Sequence, residues 1–81
     1  YKGENIMLEK LREIMTQYVE IDADDITEDK RLIEDLGFNS YDFMSLLGEL
    51  EEEFDVTIDE SDVMDIHTVG EVIEYLENLA A

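Results

Sequence analysis

The sequence predicts an all-α fold: a small four-helix bundle of three long helices and one short one, with a long loop between the first and second helices. Three observations predict it. Apolar residues recur at helical spacing in three separate stretches, cap signatures precede two of them, and no stretch shows the alternation of a good strand. At 81 residues the chain is read as a single domain. A chain this small buries only about 60% of its unfolded surface, so its core is limited.

Met7, Leu11, Ile14, Met15 and Tyr18 stand at i, i+4, i+7, i+8 and i+11, which places a first helix over residues 4–18 with one buried face. Met7 is read as a natural start, with residues 1–6 an appended or frayed segment. The period is lost from 19 to 39. Asp22, Asp24 and Asp25 oppose helix continuation, because their short polar side chains compete for the backbone. Ile21, Ile26, Leu32, Ile33 and Leu36 are spaced irregularly and are expected to pin the loop to the core. About 20 residues is long for a structureless connection in a compact domain, so a helical turn is expected at 30–35.

Gly37 can adopt a positive φ and close that turn. Asn39 is a favoured helix cap, and Asp42 lies near the positive end of the helix that follows. A second helix over 40–54 buries Phe43, Leu46, Leu47, Leu50 and Phe54, at i, i+3, i+4, i+7 and i+11. Residues 55–59 break it, with Val56 and Ile58 as anchors. A short helix over 61–65 would be capped by Asp59 or Ser61. Thr68-Val69-Gly70-Glu71 matches the capping box and opens a last helix carrying Val69, Val72, Ile73, Leu76 and Leu79 on one face. Met64 and Ile66 are expected to join the residues lining the bundle.

The formal net charge is −19, with five basic residues, none of them after Arg31, and fifteen acids in residues 32–81. Such a chain repels nucleic acid and anionic membranes and is drawn to basic protein patches. No apolar run approaches the roughly 20 residues of a bilayer span and no signal peptide is visible, so a soluble, cytoplasmic monomer without membrane insertion is expected. The absence of Cys excludes a disulfide framework, a thiolate metal site and a Cys nucleophile, so any thiol chemistry must come from an added group.

Ser40 follows a Gly-containing turn and starts a strongly amphipathic, acidic helix. No general base stands beside it in sequence, so it reads as a handle for another enzyme to modify rather than as a nucleophile. His67 is the single histidine and has no catalytic or metal-ligand partner at a recognisable spacing. An EF-hand fails at the loop's sixth and twelfth positions, which are Thr27 and Ile33 counted from Asp22, and Glu60 and Ile66 counted from Asp55. Neither a metal site nor an enzyme activity is expected.

Asp35-Leu36-Gly37-Phe38-Asn39-Ser40, Glu49 to Phe54 as Glu-Leu-Glu-Glu-Glu-Phe, and Ile66-His67-Thr68-Val69-Gly70-Glu71-Val72 stand in an order that resembles the acyl carrier protein family along most of the chain. The resemblance implies that Ser40 accepts 4'-phosphopantetheine from coenzyme A through a phosphopantetheinyl transferase. The terminal thiol of the arm would then hold acyl groups as thioesters for enzymes of fatty-acid or related biosynthesis. The commonest family motif has Asp before the Ser and Leu after it, whereas this chain has Asn39 and Tyr41. An aminoacyl, peptidyl or polyketide carrier of a specialised pathway is the alternative, as is an unmodified acidic helical adaptor.

Off the buried stripe of the second helix, Tyr41, Met44, Gly48, Glu51 and Glu52 recur every three to four residues. An exposed Tyr and Met beside acids form an adaptable contact patch with charged edges. In the family this helix is the main recognition surface for basic partner enzymes. The resemblance therefore implies partner contacts at Tyr41, Asp42, Met44, Glu49, Glu51 and Glu52.

Overall fold

The computed structural model describes the backbone of residues 2–80 and the side chains of residues 6–79. Tyr1, at the head of the segment read as appended or frayed, lies outside the described residues. The helices are α1 (Lys2–Met15), α2 (Ser40–Phe54), α3 (Glu60–Val63) and α4 (Val69–Ala80), with a 3-10 turn at Ala23–Asp25 in the loop after α1. Among the described residues no strand forms, and an isolated bridge pairs Arg31 with Thr68. The bundle of three long helices and one short helix is the one that the periodicities predict.

Helix α1 stops three residues before the predicted end. The N–H groups of Gln17 and Tyr18 bond to the carbonyls of Ile14 and Met15, three residues back rather than four. That tightening ends the α-helix while satisfying its last carbonyls. Tyr18 therefore stands in a turn, yet still packs against the core.

The core is formed by Leu11, Ile14 and Met15 of α1, Leu46, Leu47 and Leu50 of α2, Val63 of α3, and Val69, Val72, Ile73 and Leu76 of α4. The loop adds Ile26, Leu32, Leu36 and Phe38. Phe38 is 1% exposed and is the largest fully buried side chain, a role its place in the Ser40 motif does not announce. Three residues of the expected apolar faces and anchors face out, Leu79 near the end of α4 among them. Met64 is 78% exposed, because α3 has four residues and buries Val63 alone. Ile33 is 56% exposed, because the turn over 32–36 turns Leu32 and Leu36 inward, four residues apart, and leaves Ile33 outside. Phe43, Phe54 and Ile58 are only partly buried.

The long loop is ordered by the start of α4. The N–H groups of Val69 and Gly70 would be orphans of the first helical turn. They donate instead to the loop carbonyls of Lys30 (3.0 Å) and Glu28 (2.9 Å), and Leu32 N–H donates to His67 O (2.9 Å). Gly70 eases this approach, since a Cβ there would lie a tight 3.1 Å from Glu28 O. The capping box forms as predicted: Thr68 Oγ1 accepts from Glu71 N–H, and the Glu71 carboxylate accepts from Thr68 N–H, both at 3.1 Å. The same carboxylate accepts from His67 N–H, and these two backbone donors hold the Glu71 pKa below its ordinary value.

Helix α3 is tethered at its first turn. Asp59 caps it by accepting from Ser61 N–H. Tyr75 of α4 accepts from Asp59 N–H and donates to Asp62. Helix α2 ends at Asp55, which takes the left-handed conformation (φ 55°) usual for Gly or Asn at such a stop.

Candidate functional site

The site is built by the turn that delivers Ser40. Arg31 N–H and the Arg31 guanidinium both donate to the Asp35 carboxylate, at 2.8 and 3.4 Å. The backbone bond from Arg31 comes first among the reasons that the Asp35 pKa lies below the usual carboxylate value. Asp35 N–H and Leu36 N–H return to Arg31 O, each at 3.0 Å, Gly37 N–H to Ile33 O, and Phe38 N–H to Leu32 O. This is the helical turn expected near 30–35, and Asp35 of the Asp-Leu-Gly motif is the side chain that closes it.

Gly37 leaves that turn at φ 85°, in the left-handed region where a Cβ is costly. Phe38 then plunges into the core. Asn39 resumes an extended backbone (φ −93°, ψ 174°), and its Oδ1 accepts from Asp42 N–H at 2.7 Å. Ser40 is the first residue of α2 and is exposed. Asn39 has taken the third N–H of the helix. The N–H groups of Ser40 and Tyr41 have no protein acceptor among the described residues. An exposed hydroxyl beside free N–H groups at the positive end of a 15-residue helix fits a phosphodiester.

The family profile described as phosphopantetheine attachment site matches residues 9–76. The acyl carrier protein of Thermotoga maritima is 37% identical over 68 residues, 84% of each chain. That of Clostridium perfringens is 39% identical over 70 residues, covering 86% of this chain and 92% of its own. The chain belongs to the acyl carrier protein family. A solved structure of an acyl carrier protein from Enterococcus faecalis superposes with a TM-score of 0.80 at 30% identity, covering 94% of this chain and 96% of that one. Membership makes phosphopantetheine the cofactor of this carrier and makes the carrier a non-catalytic protein.

The other residues singled out in this carrier fall into two groups. Tyr41 (79% exposed) and Met44 (48%) lie open on α2, with Glu52 exposed and Asp42 half-buried. Beside Met44 runs an open groove of about 510 Å³, lined by Phe43, Met44, Glu60, Ser61, Val63 and Met64. Glu60 of α3 and Met64 at its C-terminal cap are contributions that sequence reasoning missed, since four residues show no helical period. Glu49 and Glu51 are engaged within the fold, although Glu51 lines a groove with Met44, Gly48 and Glu60. Glu49 accepts from the Tyr18 hydroxyl at 2.5 Å, and the Glu51 carboxylate accepts from Ile58 N–H at 2.7 Å. The bond to Glu49, with burial and nearby negative charge adding, pushes the Tyr18 pKa up to about 12. Glu53 pairs with Lys10 of α1 at 3.2 Å. His67 is exposed and borders a small cleft of about 70 Å³ with Leu32, Ile33, Glu34, Phe43 and Ile66.

Among the described residues no group of three or more carboxylate or imidazole side chains converges as a cation site, the Asp22, Asp24 and Asp25 region included. No helix among them is long and apolar enough to cross a membrane.

Proposed function

We propose that Ser40 is the attachment point of the 4'-phosphopantetheine arm, transferred from coenzyme A by a phosphopantetheinyl transferase. One observation supports this above the others: the exposed Ser40 hydroxyl stands at the first residue of α2, after a turn held by Asp35, Phe38 and Asn39, beside N–H groups left free by the Asn39 cap. The arm supplies a terminal thiol that holds an acyl group as a thioester. The protein's own part is to present the hydroxyl to the transferase, to screen the phosphodiester with helix N–H groups, and to dock on partners. It would do so as a cytoplasmic monomer serving enzymes of fatty-acid or related biosynthesis.

Docking is assigned to Tyr41, Asp42, Met44 and Glu52, joined by Glu60 and Met64 across the groove. Glu49 and Glu51 are left out of this set, because their carboxylates already serve donors within the fold. Basic patches on partner enzymes complement the remaining acids, and Met44 and Met64 supply polarisable surface that adapts to different contacts.

Intact mass after incubation with coenzyme A and a broad-specificity transferase tests the assignment. The wild-type chain gains one phosphopantetheinyl group. Ser40→Ala folds, as read by circular dichroism, and gains none. A modified Ser40→Ala protein, or a wild-type chain that stays unmodified, overturns it.

A further inference from the structure

We propose that Tyr18 is a positioning residue for modification at Ser40, acting as a brace through Phe38 and Glu49. The proposal rests on the reading of Ser40 as the attachment point. Tyr18 stands in the turn after α1 and touches the site's framework at two places. Its ring lies against Phe38, with centroids 6.0 Å apart and planes at 40°. Its hydroxyl donates to Glu49. Phe38 lies two residues before Ser40, and Glu49 lies nine residues after it, about 13 Å along the helix axis at 1.5 Å per residue.

The two contacts meet at one side chain, the ring reaching the turn before Ser40 and the hydroxyl reaching the helix after it. One holds the turn and the other holds the body of α2, so Tyr18 ties the turn to the helix it enters. The turn needs such a support. Gly37 carries no side chain and Asn39 points its side chain to the helix, which leaves Phe38 as the anchor between them. The ring of Tyr18 alone could be a filler of the core edge. The hydroxyl bond to a half-buried carboxylate is what makes its pose specific. Glu49 has no cation within ion-pair distance among the described residues, and the Tyr18 hydroxyl is the donor that serves it.

A transferase must meet the Ser40 hydroxyl in one orientation. If the turn holds that orientation for only a fraction of the time, the apparent KM rises by the inverse of that fraction, while kcat for the bound, ordered complex is kept. The test measures transfer kinetics on the full chain for Tyr18→Phe, Glu49→Ala, the double variant and Glu49→Gln, with Ile73→Val as a control for loss of core packing in α4. Concentrations are corrected for the folded fraction.

Tyr18→Phe and Glu49→Ala should each raise KM about threefold at constant kcat, and the double variant should be no worse than either, since both remove one bond. Glu49→Gln keeps an acceptor oxygen and should stay within about twofold of wild type, as should Ile73→Val. If Glu49→Gln behaves like Glu49→Ala, the charge is what matters and Glu49 belongs to the docking surface instead. If Tyr18→Phe matches wild type, Tyr18 only fills space, and additive effects in the double variant would equally sink the brace. Amide hydrogen exchange at Gly37 and Phe38 reads the turn without any transferase. It should quicken in Tyr18→Phe and Glu49→Ala but not in Glu49→Gln or Ile73→Val, and unchanged exchange in the first two overturns the brace. A wild-type chain that gains no arm refutes the Ser40 assignment, and exchange still decides the brace.

Discussion

Replacing two exposed glycines by alanine should move stability in opposite directions. Gly48 lies within α2 with helical backbone, and a Cβ there would meet nothing within 4 Å. Alanine is favoured over glycine in a helix interior by about 0.8–1.0 kcal/mol, so Gly48→Ala should stabilise by nearly that amount. Gly37 also has open space around its Cβ position, but its φ is +85°. The left-handed backbone costs an alanine about 1–2 kcal/mol. Reduced freedom of the unfolded chain returns about 0.4–1 kcal/mol of that, leaving a net loss of roughly 1 kcal/mol.

For a domain of this size, 1 kcal/mol moves Tm by about 4–8 °C. The two variants should thus melt about 10 °C apart, with wild type between them. Gly70→Ala should show no gain in spite of its helical position, because Glu28 O stands 3.1 Å from the new methyl group. Thermal melts followed by far-ultraviolet circular dichroism, at one salt concentration, measure all three. A Gly37→Ala protein as stable as wild type would refute the left-handed turn before Ser40. A Gly48→Ala protein with unchanged Tm would mean that this face of α2 is not the open helix surface described.

Two further outcomes are expected. The Tyr18 pKa is raised in the folded state, from 10.0 to about 12, so its stabilising bond is fully present below pH 10 and is lost as pH rises through about 12. Wild type should therefore lose stability over that window more steeply than Tyr18→Phe, in urea titrations at stepped pH; parallel curves would show that the hydroxyl contributes nothing. On the docking face, Glu52→Lys should slow association with a basic transferase, most at low salt, while Met44→Ala should mainly speed dissociation. Surface plasmon resonance separates the two rates, and unchanged rates in both variants would move the contact surface off α2.

Most of the fold was legible because its determinants are local. The Asn39 cap, the positive φ of Gly37 and the Thr68–Glu71 capping box each involve residues within a few positions of one another, and each formed. The stripes of α2 and α4 are long enough for a period to show. What was not legible depends on length or on distant partners. Four residues of α3 cannot reveal which side Met64 faces, and no neighbour of Asp55 announces a left-handed stop without glycine. Phe38 packs against Tyr18, twenty positions earlier in the chain, and the order of the loop comes from backbone donors at the start of α4.

The acids of α2 show the same division at the site itself. In sequence Asp42, Glu49, Glu51, Glu52 and Glu53 form one acidic edge without a basic residue on their own helix. In the fold Glu49 serves Tyr18, Glu51 serves the backbone of Ile58, and Glu53 meets Lys10. These partners lie on α1, on the turn after it, and on the link to α3. Helical spacing says which acids share a face but not what the neighbouring elements bring to that face. All five still add to the net charge that draws a basic enzyme from a distance, an attraction screened beyond about 10 Å at ordinary salt. Contact is another matter, because a carboxylate that gives up an internal bond to meet a lysine gains only the difference between the two. Asp42 and Glu52 have no such bond among the described residues, so either can meet a cation without loosening the fold.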